Sequence, residues 1–384
     1  MMRHISMLAF IIGTMNLGNS QAFLSAPIEG IQGEDWIIVN YVDWDTVGIF
    51  DHNCGSKTYD GHQGTDYTLQ SFVRMEEGVN VLAAANGIVT FVKDGLFDEE
   101  TTSNPAKGLG NYIAIRHEND YYSYYGHLKT NSILVEVGDE VLMSDVIAQV
   151  GSSGNSTDPH LHFELWYDSL YVVDPYGGNC GNQESLFFNP EEYKEELAVW
   201  DSGISLSNDL SLDDLRFRNL SLEKPFMIDT DSDSDLYYWV QLYGIREGIE
   251  IKFEWYTPTN ELWFEFDINA DQDYWYAYYW TYIFHDNLVP GAWNVRMLYD
   301  GEEINRETFQ VGELSGLSEL NTDLCKLYEN YSIPFLKNTV EINLQMFNTR
   351  GQNVTQLDHL NAGIYFLQIK QNDKFCVIKK LIEE

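Results

Sequence analysis

Four histidines and one aspartate, spread over three short segments, have the types and spacing of a metal-dependent hydrolytic site. The segments are GHQGTDY, YYGHL and PHLHFEL, and they contain His62, Asp66, His127, His160 and His162. A catalytic zinc ion takes three protein ligands from histidine and carboxylate and leaves the fourth position open. The ion lowers the pKa of a bound water to about 7, which makes a nucleophile at neutral pH. The five residues therefore supply one ligand set and two further imidazoles.

The spacing within these segments favours convergence on one ion. His160 and His162 lie in a run rich in strand-forming residues, and side chains two apart on a strand point to the same face. One imidazole can then bind the metal while the other faces the substrate. His62 and Asp66 are four apart, and the glycines around them allow a bend that brings both to one ion. A lone His-x-His pair is weak evidence, but four of the chain's nine histidines fall in these segments.

In their order along the chain, GHQGTD, YGHL and HLHFE resemble the lysostaphin/LytM-type zinc metallopeptidases, which cut peptide bonds in bacterial cell-wall peptidoglycan. The intervening runs VLAAANGIVTFV, GNYIAIRH and VEVGDEVLMSDVIAQVGSSGNSTDPHLHFEL resemble that family's strand pair, the strand before its catalytic loop, and its closing hairpin with the active-site strand. The resemblance covers about residues 50–175. It implies a compact antiparallel β-sheet domain with a zinc groove on one face of the sheet.

Carried over position by position, the resemblance implies three zinc ligands, His62, Asp66 and His162, and a catalytic pair, His127 and His160. One member of the pair activates the zinc-bound water as general base, and the other stabilises the oxyanion that forms on the scissile carbonyl. The sequence leaves open which histidine has which role.

Two further residues near the motifs have open roles. His117 matches a position where the family commonly has histidine, and we expect a structural or supporting role there. Glu164 lies two residues past His162 on the same strand face, so it either supports that imidazole or is a solvated carboxylate at the rim.

The composition excludes some classes of partner. The chain has 384 residues and a formal net charge of −38, from 22 basic and 60 acidic residues. Nucleic-acid binding needs a basic face and is therefore excluded. The same charge disfavours attraction to teichoic acids or to an anionic membrane surface. A solvated acidic surface is the simplest interpretation, and adaptation to a salty environment, where self-repulsion is screened, is a sharper hypothesis.

The amino terminus has the pattern of a signal peptide, residues 1–22. Arg3 and His4 precede an apolar stretch, and Ser20-Gln21-Ala22 forms a small-x-small cleavage site. A buried strand is the alternative. Since no segment reaches the roughly 20 apolar residues that span a bilayer, we expect a secreted protein with no membrane span.

Four cysteines in an exported chain suit disulfide bonds. Cys54 precedes the first zinc motif and Cys180 follows the active-site strand, so we expect these two to staple the edges of the peptidase domain. Cys325 and Cys376 are expected to form a second pair. Zinc binding by the cysteines is not favoured, because the chain has no CxxC spacing.

The sequence predicts a mainly β protein with three modules after the signal peptide. The zinc metallopeptidase domain is predicted over residues 23–200. Runs such as IEIKFEWYT, LWFEFDI and AWNVRMLYDG, separated by polar turns, predict an immunoglobulin- or fibronectin-like β-sandwich over residues 201–312. Such modules often aid attachment to a substrate or surface, although Trp239, Trp255 and Trp293 are expected to be core residues.

The tail, residues 322–384, forms a third predicted unit. LNAGIYFLQIKQNDKFCVIKKLIEE resembles the carboxyl-terminal sorting domain of Bacteroidetes-type bacteria, a small β module recognised by the type IX secretion machinery. The usual opening Pro-Asn-Pro of that family is absent. An ordinary terminal β module that stays attached is the alternative.

The sequence thus predicts a secreted zinc metalloendopeptidase that hydrolyses peptide bonds in bacterial peptidoglycan. Two alternatives remain, namely a zinc peptidase acting on extracellular glycine-rich protein and a non-catalytic relative that binds or activates at the cell wall. All five expected positions are retained, which favours the active enzyme. Residues 23–50 include Asp43, Trp44 and Asp45, and an acidic side chain there is a candidate to block the open zinc position.

Overall fold

The structure of the protein is a computed structural model. It describes residues 22–44, 48–178, 180, 183–222, 224, 226–228, 234–284 and 288–312, and the backbone of strands 343–348, 363–371 and 374–382. The predicted signal peptide lies outside the described residues except for Ala22. The predicted Cys325–Cys376 pair lies outside the side chains that are described.

The chain divides into two compact units. The first contains residues 1–195 together with the short segment 216–218, and the second contains residues 196–215 and 219–384. No helix among the described residues is long and apolar enough to cross a membrane.

The first unit is built around one antiparallel sheet. Its elements in chain order are β1 (Trp36–Asn40), β2 (Thr65–Leu69), α1 (Phe72–Glu77), β3 (Asn80–Leu82), β4 (Gly87–Lys93), β5 (Tyr112–Arg116), β6 (Tyr121–Gly126), β7 (Glu140–Val141), β8 (Val146–Gln149), β9 (His160–Tyr167) and β10 (Tyr171–Val173). The sheet order is β1-β2-β9-β6-β5-β4-β7, with β10 paired to β9, and β3 pairs with β8 in a separate two-stranded sheet. The predicted mainly β, antiparallel architecture is confirmed.

Strand β9 shows why this sheet has one apolar and one polar face. Its sequence HLHFELWY alternates, and Leu161, Phe163 and Leu165 are fully buried in the core. Because successive side chains of a strand point to opposite faces, His162 and Glu164 lie on the other face. A register slip of one residue would move the apolar set out of the core, so burial of this set fixes the strand's register.

The edges of the first unit are joined by a disulfide bond between Cys54 and Cys180. The two cysteines are 126 residues apart in sequence, and their Cα atoms are 5.3 Å apart. This is the pair that the sequence analysis favours.

The second unit is also β-structure. Its elements are β11 (Ala198–Ser207), α2 (Leu212–Arg216), β12 (Phe226–Ile228), β13 (Asp235–Tyr243), β14 (Glu250–Tyr256), β15 (Leu262–Asn269), β16 (Ala277–Ile283), β17 (Gly291–Tyr299), β18 (Glu302–Val311), β19 (Asn343–Asn348), β20 (Gly363–Gln371) and β21 (Lys374–Ile382). These strands form three sheets, with the orders β11-β13-β16, β12-β18-β17-β14-β15 and β19-β20-β21.

The first two of these sheets share one apolar core. Trp255 and Trp293 are buried in it, whereas Trp239 is buried in a smaller cluster with Leu210 and Leu215. Trp239, Trp255 and Trp293 are therefore core residues, as expected. The immunoglobulin-like identity of this unit and the sorting role of residues 322–384 stay predictions.

Candidate metal centre

The pairing of β2 with β9 brings two of the predicted ligands together, since Asp66 lies directly opposite His162 in the register. The third, His62, is in the loop that leads into β2. His162 Nδ1 lies 2.7 Å from Asp66 Oδ1, His62 Nε2 lies 3.2 Å from Asp66 Oδ2, and the two ring nitrogens are 3.3 Å apart. Across the described part of the chain, this is the group of three histidine, cysteine or acidic residues that could hold a metal ion, with ligand atoms within 4.8 Å of one another.

Both ligand imidazoles are oriented by a bond at the nitrogen remote from this cluster. His62 Nδ1 donates to the main-chain carbonyl of Tyr41 at 2.7 Å. His162 Nε2 donates to Glu164 Oε1 at 3.0 Å, and the other oxygen of Glu164 accepts from the indole of Trp166. Glu164 is buried and bonded to His162, so it supports the imidazole of this predicted ligand and is not a solvated rim residue. Such outer partners fix the tautomer and ring direction of a metal-binding histidine.

The electrostatics of the cluster suit a cation. Burial raises the pKa of the Asp66 carboxyl, but the imidazoles of His62, His160 and His162 more than offset this and hold it well below its usual range. Burial lowers the pKa of His162, yet its bonds to Asp66 and Glu164 raise it to about 10. The site therefore stabilises positive charge between the carboxylates and the imidazole. A metal ion would supply that charge, and the donor set of two imidazoles and one carboxylate fits that of a catalytic zinc site.

The two remaining histidines flank this cluster. The rings of His127 and His160 are 4.6 Å apart, and His160 Nε2 lies 3.7 Å from Asp66 Oδ1. His127 Nδ1 donates to the carbonyl of Ser153 at 2.6 Å, and His160 Nδ1 donates to the carbonyl of Asp158 at 2.8 Å. Because each Nδ1 carries the proton that the carbonyl accepts, each neutral ring presents Nε2 as a proton acceptor.

Burial keeps this pair neutral. Burial lowers the pKa of His160. Burial also lowers the pKa of His127, and the nearby imidazoles of His160 and His162 lower it further, to well below the usual value. A neutral imidazole is the form that accepts a proton from water.

A close approach of two loops sets the position of His127. A Cβ on Gly110 would lie 2.4 Å from the carbonyl carbon of Ser153, and Gly110 has a φ of +66°. The residue must therefore be glycine for the loop carrying Ser153 to come this near. Ser153 Oγ accepts from the amide of Asn111 and donates to the carbonyl of Leu128. These contacts deliver the carbonyl that holds His127, which itself has a positive φ of 60°.

Several supporting groups carry no clear sequence signal. Asn40 Nδ2 donates to Asp66 Oδ2 at 2.9 Å, and both Asn40 and Tyr41 lie more than 20 residues before the first motif's aspartate. The main-chain carbonyls that orient three of the imidazoles leave no trace in the residue types. The exception is Glu164, because its position on the strand face of His162 was visible.

The side chains of His117 and Asp43 make their hydrogen bonds outside the cluster of predicted ligands. His117 bonds to the carbonyl of Asn86 and to Ser123 Oγ, within a buried network of its own, so its role is structural. The carboxylate of Asp43 accepts from the amides of Phe50 and Gly61 and is thus committed to its own loop. The indole of Trp44 donates to Asp174, while Asp45 lies outside the described residues.

Comparison with known proteins points to one family for this domain. Residues 60–175, which contain all five site residues, match the model of Peptidase family M23. An uncharacterized metalloprotease of Buchnera aphidicola is 36% identical over 114 residues, which are 30% of this chain and 25% of that protein. Peptidoglycan DD-endopeptidase ShyC of Vibrio cholerae is 33% identical over 110 residues, which are 29% of this chain and 21% of that protein.

Not all relatives are named as peptidases. Murein hydrolase activator NlpD of Salmonella dublin is 32% identical over 129 residues, which are 34% of this chain and 29% of that protein. A crystal structure of the catalytic domain of the M23 protein EnpA from Enterococcus faecalis aligns with a TM-score of 0.28 and 26% identity, covering 40% of this chain and 98% of that domain. The chain spans between 21% and 29% of the length of the three curated relatives from Buchnera aphidicola, Vibrio cholerae and Salmonella dublin. It contains a LytM-type M23 peptidase domain of antiparallel β-structure, and peptidoglycan endopeptidases are among the relatives of that domain.

Proposed function

We propose that the protein is a secreted zinc metalloendopeptidase that hydrolyses peptide bonds in bacterial peptidoglycan. The observation that carries this proposal is the cluster of His62, Asp66 and His162, whose ligand atoms lie within 4.8 Å of one another beside two carbonyl-anchored histidines. Three ligands and two neutral imidazoles are the parts that hydrolysis by an activated water needs.

The three predicted ligands and the two flanking histidines would have different tasks in hydrolysis. His62 Nε2, Asp66 and His162 Nδ1 would hold the zinc ion, which would supply Lewis-acid chemistry to the scissile carbonyl and to the attacking water. His127 and His160 lie beside the ligand cluster, and each neutral ring has Nε2 as its proton acceptor. The ring that accepts the proton from the attacking water becomes a donor at that same atom, so it can pass the proton to the leaving amine. The charge-assisted donor also stabilises the oxyanion that develops on the carbonyl.

The choice of peptidoglycan as substrate rests on the relatives, one of which is a peptidoglycan endopeptidase by name. Secretion rests on the amino-terminal pattern of residues 1–22 and on the tail, residues 322–384, which we propose is recognised by the type IX secretion machinery. The relative named as a murein hydrolase activator supports a second candidate, a non-catalytic activator. Retention of all five site residues in one cluster favours the peptidase.

The test uses the purified full chain on dye-labelled bacterial cell walls, with mass spectrometry of the released fragments. We expect dye release with cleaved peptide cross-links, loss of release with a chelator, and recovery when zinc is added back. A glycine-rich protein is assayed in parallel. Cleavage of that protein alone would move the activity to extracellular protein. Zinc binding without cleavage of either substrate, together with stimulation of a separate wall hydrolase, would favour the activator.

A further inference from the structure

The short segment Arg216–Arg218 belongs to the first unit, although the chain on both sides of it belongs to the second. The segment lies beyond residues 60–175, so it is not part of the matched family region. Phe217 stacks on Phe72 with ring centres 4.2 Å apart and planes at 7°. Arg218 donates to the carbonyl of Gln70 at 3.4 Å. The segment is therefore a fixed part of the unit that contains the candidate metal centre.

The first residue of the segment makes a two-pronged ion pair. Arg216 Nε lies 2.9 Å from Asp158 Oδ1, and a terminal guanidinium nitrogen donates to Asp158 Oδ2 at 3.0 Å. The two side chains are only 15% and 13% exposed. The terminal nitrogen makes the hydrogen bond and Nε makes a close charge contact, and a planar guanidinium held at both oxygens of a carboxylate restricts its direction as well as its charge. Removing one partner of such a poorly exposed pair leaves the other without compensation, so the pair constrains Asp158 strongly.

The carbonyl of Asp158 makes the shorter of two contacts at His160 Nδ1, 2.8 Å against 3.2 Å to Ser156 Oγ. It accepts from His160 Nδ1 at 2.8 Å and from Ser156 Oγ at 2.9 Å. The next residue, Pro159, is held in turn, because its carbonyl accepts from the amide of Leu69 in β2. The side chain of Asp158 is thus held by Arg216, and the peptide that follows Asp158 is held by its bond to Leu69 of β2. These two contacts keep the carbonyl of Asp158 directed toward the imidazole of His160.

From this chain of contacts we propose that Arg216 is a positioning residue of the peptidase, which acts through Asp158 to hold His160 with Nε2 facing the metal centre. The proposal rests on the proposed function of that centre. On this proposal, full activity needs an arginine from outside the region that matches the M23 family, because Arg216 does not lie within residues 60–175.

The competing explanation is that the segment only stabilises the first unit. A substitution at Arg218 distinguishes this explanation from a positioning role of Arg216. Arg218 lies in the same segment and donates to the carbonyl of Gln70, whereas Arg216 donates to Asp158. If the segment acted only through its docking, substitution of either arginine should affect activity equally, whereas loss of His160 orientation alone is expected only from a change at Arg216 or Asp158.

The experiment compares Arg216→Gln, Arg216→Lys and Asp158→Asn with Arg218→Gln in the zinc-loaded full chain. The first readout is kcat and KM on a soluble cross-linked peptide that the wild type cleaves. We expect Arg216→Gln to lower kcat by about 10- to 100-fold with KM and zinc content unchanged, as for other supporting partners of active-site histidines. Arg216→Lys should recover part of the loss because it restores the charge but not the fork. Arg218→Gln should keep the wild-type kcat.

The second readout is independent of activity. In protein labelled with ¹⁵N-histidine, the Nδ1 proton of His160, assigned by its loss in His160→Gln, should exchange slowly with solvent in the wild type and in Arg218→Gln. It should exchange much faster in Arg216→Gln. Equal protection in wild type and Arg216→Gln, or equal loss of kcat in the Arg216 and Arg218 variants, would overturn the proposal. A wild type that cleaves no peptide contradicts the proposed function, and the exchange measurement then still decides the role of Arg216.

Discussion

Each of the four histidines at the candidate centre has one ring nitrogen committed to an orienting acceptor. In three of them the acceptor is a main-chain carbonyl, whereas at His162 it is the carboxylate of Glu164. A carbonyl cannot be removed by exchanging a side chain. His162 is therefore the imidazole whose orienting acceptor a single substitution can test directly.

Glu164→Gln is predicted to weaken zinc binding by about 10- to 100-fold. The two donors meet different oxygens of Glu164, so the NH2 group of a glutamine would face either His162 Nε2 or the indole of Trp166 and could not accept from the group that it faces. Competition with a chromogenic chelator measures the affinity without any substrate. Trp166→Phe is the matched control, because it removes the indole donor and leaves the His162 bond in place. Equal affinity in wild type and Glu164→Gln would show that the carboxylate does not support the ligand.

Asp174 should make the stability of the protein depend on pH. Burial raises the pKa of this carboxyl to about 7 from an ordinary 3.8, against the bonds donated by the amide of Tyr176 and the indole of Trp44. The fold therefore favours the neutral carboxyl. Stability from the neutral form is complete below pH 3.8 and is lost as the pH rises to about 7, by up to ~4 kcal/mol.

Asp174→Asn removes this titration. We expect the wild type to lose stability relative to the variant between pH 4 and pH 7, in denaturant or thermal unfolding followed at several pH values. The absolute stability of the variant is not the readout, because asparagine cannot accept both bonds of the carboxylate. Parallel profiles for the two proteins across this range would contradict the raised pKa.

At the scale of elements, the alternating run HLHFELWY was sufficient to predict a strand with its histidines on one face, and the three motifs were sufficient to predict which residues converge. The loop contacts were not predictable in the same way. Ser153 and Asp158 act through their carbonyls, which every residue type has. Arg216 reaches the site because the chain returns to the first unit after β11, and a return of this kind leaves no local pattern in the sequence.

The loop contact at Gly110 gives a prediction at this scale. Gly110→Ala should push the Ser153 carbonyl away from His127 and lower activity with zinc retained, because the new Cβ would lie 2.4 Å from the Ser153 backbone. Gly95→Ala is the matched control, since Gly95 also has a positive φ, +88°, but has no atom within 4 Å of an added Cβ. Both variants carry backbone strain of about 1–3 kcal/mol, so only a steric effect separates them. Equal activity of the two would contradict the role of the close approach.

At the scale of the whole molecule, the net charge of −38 is the dominant property. Self-repulsion of this size destabilises a compact state, and salt screens it over a Debye length of about 10 Å at 0.1 M. We therefore predict a rise in Tm between ~0.01 M and ~0.5 M NaCl, measured by calorimetry on the full chain. An equal osmolarity of a neutral solute is the control. A Tm that stays constant or falls with salt would argue against both self-repulsion and adaptation to a salty environment.

The measurement that tests the account most directly is zinc content together with wall-lytic activity in wild type, His162→Ala and His127→Ala. The predicted result is one bound zinc and activity in the wild type, loss of both in His162→Ala, and loss of activity with zinc retained in His127→Ala. The reason is that His162 Nδ1 faces the ligand cluster, while His127 stands beside it on the carbonyl of Ser153. A wild type that binds no zinc, or a His127→Ala variant that loses zinc as completely as His162→Ala, would contradict the division between ligand and catalyst.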